Sequence, residues 1–282
     1  MQIIACNQLS NPIYPNRKKN VNFQGILPSK TNNLHEIKDT FTKNIDVPII
    51  KEVPKKYLQT LKERFFKEYT ESKVLEMRNR YQEIMKISDT DEFLKSLCQE
   101  LTKDYGIEKI PLRLKTNSNI FCLNDDFAPQ GRCTPRYEHG FIEISINKYN
   151  TKEELFLIMA HELRHIFQNM ICYQHSSNKE YAEVLLEKGK QVHPDYHLTD
   201  EEILNIHINP YVETMDTFYK DLGINKLDKK EPTYKYGRRI LNSHRQDANK
   251  DAETYDTVYY ERDAMRTAVD LYNILFEKKM YY

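Results

Sequence analysis

Apolar residues recur at helical spacing from about residue 54 onward. Tyr57, Leu58, Leu61, Phe65 and Phe66 share one helix face, and Leu75, Met77, Tyr81, Ile84 and Met85 form another or continue the first. Phe93, Leu94, Leu97 and Leu101 mark a third helix, introduced by Ser88 to Asp91 and ended by Gly106. The rhythm then changes. Ile110 to Leu114 and Ile120 to Leu123 read as strands, and Asp125 to Gly140, with Pro129, Gly131 and Pro135, as a loop. Phe141-Ile142-Glu143-Ile144-Ser145-Ile146-Asn147 alternates apolar and polar residues over a β-branched stretch, the pattern of a half-buried strand. A strand at a sheet edge there could pair with an extended peptide.

Thr151, followed by Glu153 and Glu154, caps the next helix. Leu155, Phe156, Ile158, Met159, Leu163, Ile166, Phe167 and Met170 make that helix apolar enough to be buried. Further helices are predicted over Lys179 to Lys190, Thr199 to Asn205, Pro210 to Leu222 and His244 to Phe276, with Lys226 to Lys235 a polar linker. Residues 1 to 50, rich in Asn, Pro, Lys and Ser, read as an extended or partly disordered arm. The predicted class is α+β: a small antiparallel or mixed sheet packed against the helix after Thr151, mostly helical elsewhere. The expected division is an arm (1–50), a helical region (51–106) and a domain spanning 107–282.

Composition narrows the functions. Hydrophobic residues at 39% and charged residues at 30% fit a soluble globular protein. Lys and Arg number 42, as do Asp and Glu, so the formal net charge is zero and no global field favours nucleic acid. The basic run Arg17-Lys18-Lys19 lies in the arm and reads as solvated. With 20 Tyr, 12 Phe and no Trp, rings carry much of the core, and buried hydroxyls need partners. Only 7 Gly are present, and neither a P-loop nor a GxGxxG pattern occurs. No apolar stretch is long enough to span a membrane. The start, Met1 to Cys6, resembles a lipidation site faintly but lacks the segments of a secretory signal. Five cysteines at 6, 98, 122, 133 and 172 form no CxxC pair, so a reduced cytoplasmic protein is the default, with secretion by another route the alternative.

The chemistry concentrates in His161-Glu162-Leu163-Arg164-His165. Residues four apart share a helix face, so both imidazoles can reach one ion, and Glu162 stands beside them to carry a proton. A catalytic zinc takes three protein ligands and keeps one position open. Candidates for the third are Glu261 in Tyr259-Tyr260-Glu261-Arg262-Asp263-Ala264, then Glu183 on the following helix with its neighbours Glu180 and Glu187, then Glu253. Asp263 could ligate or orient a histidine from behind. A Tyr or His is the usual donor to the oxyanion of peptide hydrolysis. Tyr259 and His244 are the candidates, with Tyr255 and Tyr260 close by. Arg164 is expected to face away from the ion and pair with an acid, and Gln168 to hydrogen-bond around the helix.

The HExRH helix followed by Gln168, with a late Tyr-Glu-Arg-Asp-Ala segment, resembles the gluzincin group of zinc metallopeptidases, above all its compact bacterial and phage-associated members. The resemblance covers roughly residues 141–170 and 255–270. It implies a zincin-like metallopeptidase domain and one catalytic Zn2+ held by His161, His165 and Glu261. It also implies Glu162 as general base, an endopeptidase activity and a peptide or protein as partner. The rivals are a non-catalytic metal-binding protein, a helical interaction module with a structural zinc, and an effector-like or toxin-like protease with one protein target. Oligomeric state is not legible.

Overall fold

A computed structural model describes residues 52–116, 131–192, 198–227, 231, 233–247 and 259–279. The expected arm, the expected strand at Ile120 to Leu123, and Glu253 lie outside these residues. The fold is α+β: a three-stranded mixed sheet packed against a mostly helical body.

Three helices come first: α1 (Lys55–Phe65), α2 (Glu71–Lys86) and α3 (Thr90–Tyr105). Local chemistry sets their ends. Thr70 and Asp89 accept from the backbone N–H groups of Lys73 and Glu92, and Gly106 closes α3 in the left-handed region at φ 69°.

The sheet follows, built from β1 (Leu112–Thr116), β2 (Gly131–Arg136) and β3 (Phe141–Ile146) in the order β1-β3-β2. β1 runs parallel to β3 from Leu112↔Ile142 to Thr116↔Ile146, and β2 runs antiparallel to it from Gly131↔Ile146 to Arg136↔Phe141. Ile142, Ile144 and Ile146 are fully buried, and Glu143, also buried, reaches Lys115 at 2.7 Å.

Two expectations change here. Among the described residues the strand at 141–147 is central, and the edges are β1 and β2, the latter inside the segment expected to be a loop. Its sequence Gly-Arg-Cys-Thr-Pro-Arg hides it, because Gly and Pro depress the strand signal. A proline is tolerated where no ladder donor is needed, as at an edge.

The longest helix, α4 (Lys152–His175), carries the motif. Thr151 and Glu154 form a capping box at its start. At its end the Lys226 ammonium donates to the carbonyls of Tyr173 and Ser176 at 2.6 and 2.7 Å, and the Leu227 N–H donates to Gln174. Midway, the Tyr105 hydroxyl donates to the Ala160 carbonyl at 2.9 Å.

α5 (Asn178–Val192), α6 (Asp200–Ile203), a π-helical turn (Leu204–Ile208) and α7 (Asn209–Asp221) follow, then α8 (Tyr234–Asp247) and α9 (Tyr259–Phe276). The helix expected over 244–276 falls on the end of α8 and on α9, with 248–258 outside the described residues, and α8 begins inside the expected linker. Gly237 reads as a breaker in the sequence, yet it lies within α8 where that helix crosses α4. A Cβ there would stand 3.1 Å from Ile171 Cγ2 and 3.3 Å from His175 Cδ2, so the glycine permits the close crossing.

Buried rings fill the interior, and their hydroxyls are satisfied as required. Tyr81 donates to Asp104, Tyr236 to Asp263, Tyr173 to Asp216 and Tyr272 to Glu153, at 2.7 to 3.0 Å. No helix among the described residues is long and apolar enough to cross a membrane.

Candidate metal centre

α4 brings His161 and His165 to one face, and α9, packed along it, brings Glu261 to the same point. The two Nε2 atoms are 2.9 Å apart, and Glu261 Oε2 lies 3.2 Å from His161 Nε2 and 3.3 Å from His165 Nε2. Ligands bonded tetrahedrally at about 2.0–2.1 Å stand roughly 3.3 Å from one another. Three borderline-hard donors at that spacing suit a zinc ion. All three residues are buried.

The electrostatics suit a cation at this point. Burial opposes ionisation of Glu261, but the His165 charge and hydrogen bonds from both histidines hold its carboxyl well below the usual range. Burial depresses His161, whereas at His165 the adjacent Glu261 overcomes burial and raises the imidazole. Glu261 thus favours positive charge at this point, as a metal ligand set must.

His165 is oriented from behind. Its Nδ1 donates to Gln168 Oε1 at 2.9 Å, leaving Nε2 for the cluster. Gln168 in turn donates to the Tyr260 carbonyl at 2.9 Å and to Asp263 Oδ2 at 3.0 Å, which fixes which way its amide points. Asp263 is therefore not among the three clustered donors. It accepts from Arg164 Nε at 2.8 Å and from the Tyr236 hydroxyl at 2.7 Å. Burial would push the Asp263 carboxyl up, but Arg164, Tyr236 and Gln168 hold it below its ordinary value. Arg164, 1% exposed, pairs with this acid as expected and lies against the rings of Phe167 and Tyr236.

Glu162 is fully buried beside the cluster, with the backbone of Cys133 facing its carboxylate. Burial pushes its carboxyl up to about 7, with His165 opposing and Glu261 adding to the rise. That is the poise of a group able to take and return a proton near neutrality. Its side chain lies against the first residue of β2: a Cβ on Gly131 would stand 2.9 Å from Glu162 Oε1 and 2.4 Å from Ile158 Cγ2. Gly131→Ala is expected to cost about 1–3 kcal/mol by overpacking and to displace Glu162; denaturant unfolding measures the first and activity the second.

The remaining candidates are placed elsewhere. Glu183 is exposed on α5, Glu180 pairs with Arg238, and Glu187 pairs with Arg245. His244, on α8, lays its ring on Tyr260 at 4.7 Å between centroids, and Tyr260 lies 5.5 Å from His165 in the same measure. Burial, with Lys188 and His165 adding, drives the His244 imidazole down to about 3, so it is neutral. It lines a small recess with Asn169, Lys188, Tyr137 and Pro135. Tyr259 is half-buried at the start of α9 and packs against the core.

Sequence reasoning missed Gly131 and Tyr236 and left Gln168 without a defined role. For Gln168 a signal existed: three positions after a ligating histidine, it must share that histidine's face. Comparison with protein-family models, with curated proteins and with solved structures finds no match, so the arrangement of the residues themselves carries the functional argument.

Proposed function

We propose that the chain is a zinc-dependent endopeptidase of the gluzincin type, holding one Zn2+ through His161, His165 and Glu261. The observation that carries this reading is the mutual 2.9–3.3 Å spacing of the three donor atoms beside the fully buried Glu162 carboxylate. Three donors among the described residues is the count of a catalytic zinc, whereas a structural zinc is closed by four.

A zinc ion there would supply a Lewis acid that acidifies water and polarises a carbonyl. Glu162 accepts the water's proton as attack on the peptide carbonyl begins and delivers it to the departing amine. Gln168 keeps His165 in the tautomer that frees Nε2. His244 is neutral and can donate one hydrogen bond to a developing oxyanion without carrying charge; of the two candidate donors it is favoured over Tyr259 because it lies within electrostatic reach of His165 and Glu261. β2 is the sheet edge that runs past Glu162, and an extended peptide added to it would lie across the motif helix.

Glu261→Ala is expected to remove one of three ligands and lower zinc affinity by several orders of magnitude. Metal content after dialysis, with the wild-type chain alongside, tests this. Undiminished zinc in the variant would reject the ligand set, and a wild-type chain that binds no divalent metal would reject the reading.

A further inference from the structure

The surroundings of the metal cluster extend beyond the elements that carry the motif. Arg64, in the last turn of α1, meets them with its backbone and its side chain. Its carbonyl accepts from Arg164 Nη1 at 2.7 Å. Its guanidinium places Nη1 3.6 Å from Asp263 Oδ1 and donates through Nε and Nη2 to Asp270 Oδ2 at 3.0 and 2.8 Å. Two residues on, Phe66 ends α1 in the left-handed region at φ 57° and sets its ring 5.0 Å from that of Tyr236, the residue that donates to Asp263.

Of the groups this turn touches, Asp263 is bonded to both Gln168 and Arg164, and Tyr236 is bonded to Asp263. The chain of contacts runs Arg64 to Asp263, Asp263 to Gln168, Gln168 to His165 Nδ1. Asp263 would otherwise answer to Arg164 alone among cations. With Arg64 bridging it to Asp270 on the same helix, α1 is anchored to α9 two positions from Glu261. Outer-shell partners of this kind commonly change metal affinity 10- to 100-fold when removed.

We propose that Arg64 is a positioning residue of the metal centre, and that docking of the α1 C-terminal turn and retention of the metal are coupled. The proposal rests on the metal-binding reading above. It does not require hydrolysis.

The test uses the full chain loaded with Zn2+, and separately with Co2+, whose visible absorption reports ligand geometry. Arg64→Ala is expected to release zinc to a chelator about tenfold faster and to change the cobalt band, while Arg64→Lys, which restores the charge, recovers part of both. Arg78→Ala serves as the comparison. Arg78 ties α2 to the far end of α9 through the Ile274 carbonyl and Glu277, so its loss lowers stability without touching this chain of contacts. Wild-type release and an unchanged band in Arg64→Ala would overturn the proposal, as would equal changes in Arg78→Ala. A wild-type chain that binds neither ion would overturn the metal reading and this inference together, so the two failures are distinguishable.

Discussion

Glu162→Gln is expected to keep its metal and lose hydrolysis of a peptide substrate by about 10²–10⁴-fold, the usual contribution of a positioned general base. The amide has nearly the shape of the carboxyl group, so Ile158 and Gly131 keep their packing, but it cannot accept and return a proton. The same substitution has a signature in the metal-free protein. Folding raises the Glu162 carboxyl from an ordinary 4.5 to about 7. The folded state therefore binds more protons than the unfolded chain between those values, and this contribution to stability falls as pH rises through that window. Glutamine does not titrate. The variant should gain on the wild type from pH 4.5 to 7, reaching roughly 3 kcal/mol. Denaturant midpoints across that range would check it. A constant difference would mean that water reaches Glu162, and unimpaired hydrolysis would remove it from the mechanism.

Asp263→Ala is expected to destabilise the fold by roughly 3–5 kcal/mol, the cost of leaving a buried charge without its partner. Arg164 cannot escape to solvent, since it is 1% exposed between Phe167 and Tyr236. The Tyr236 hydroxyl and one Gln168 donor would lose their acceptor at the same time. Replacing Asp263 and Arg164 together by leucine and methionine should cost less than the single change, because the unpaired charge is gone. Urea unfolding of both variants measures this. A loss below about 1 kcal/mol for Asp263→Ala would mean that Arg164 finds another partner.

The apolar rhythm makes α1 to α3, β3 and α4 legible in the sequence, because each buries a regular face. His161, Glu162 and His165 were legible for a related reason: the spacing of a helical turn is itself the geometry of the cluster. Glu261 stands first among several acids and the resemblance singles it out, since nothing local distinguishes an acid that reaches the cluster from a solvated one. The elements that were hidden carry the residues that discourage prediction. β2 contains Gly131 and Pro135, which a sheet edge and a close approach to Glu162 accommodate. α8 contains Gly237, which reads as an interruption until α4 is seen to pass 3.1 Å from where its side chain would begin. Asp263 looked like a second possible ligand because its three partners, Arg164, Gln168 and Tyr236, come from distant parts of the chain.

The helix bearing the histidines is fastened at both ends, by Thr151 and Glu154 at one and by Lys226 and Leu227 at the other, and is gripped at Ala160 by Tyr105. Fraying, the cheapest motion a helix has, would therefore stop well short of the imidazoles. An ion seated among them would therefore outlast the loosening of the helix ends, its histidines held in place by the body as a whole.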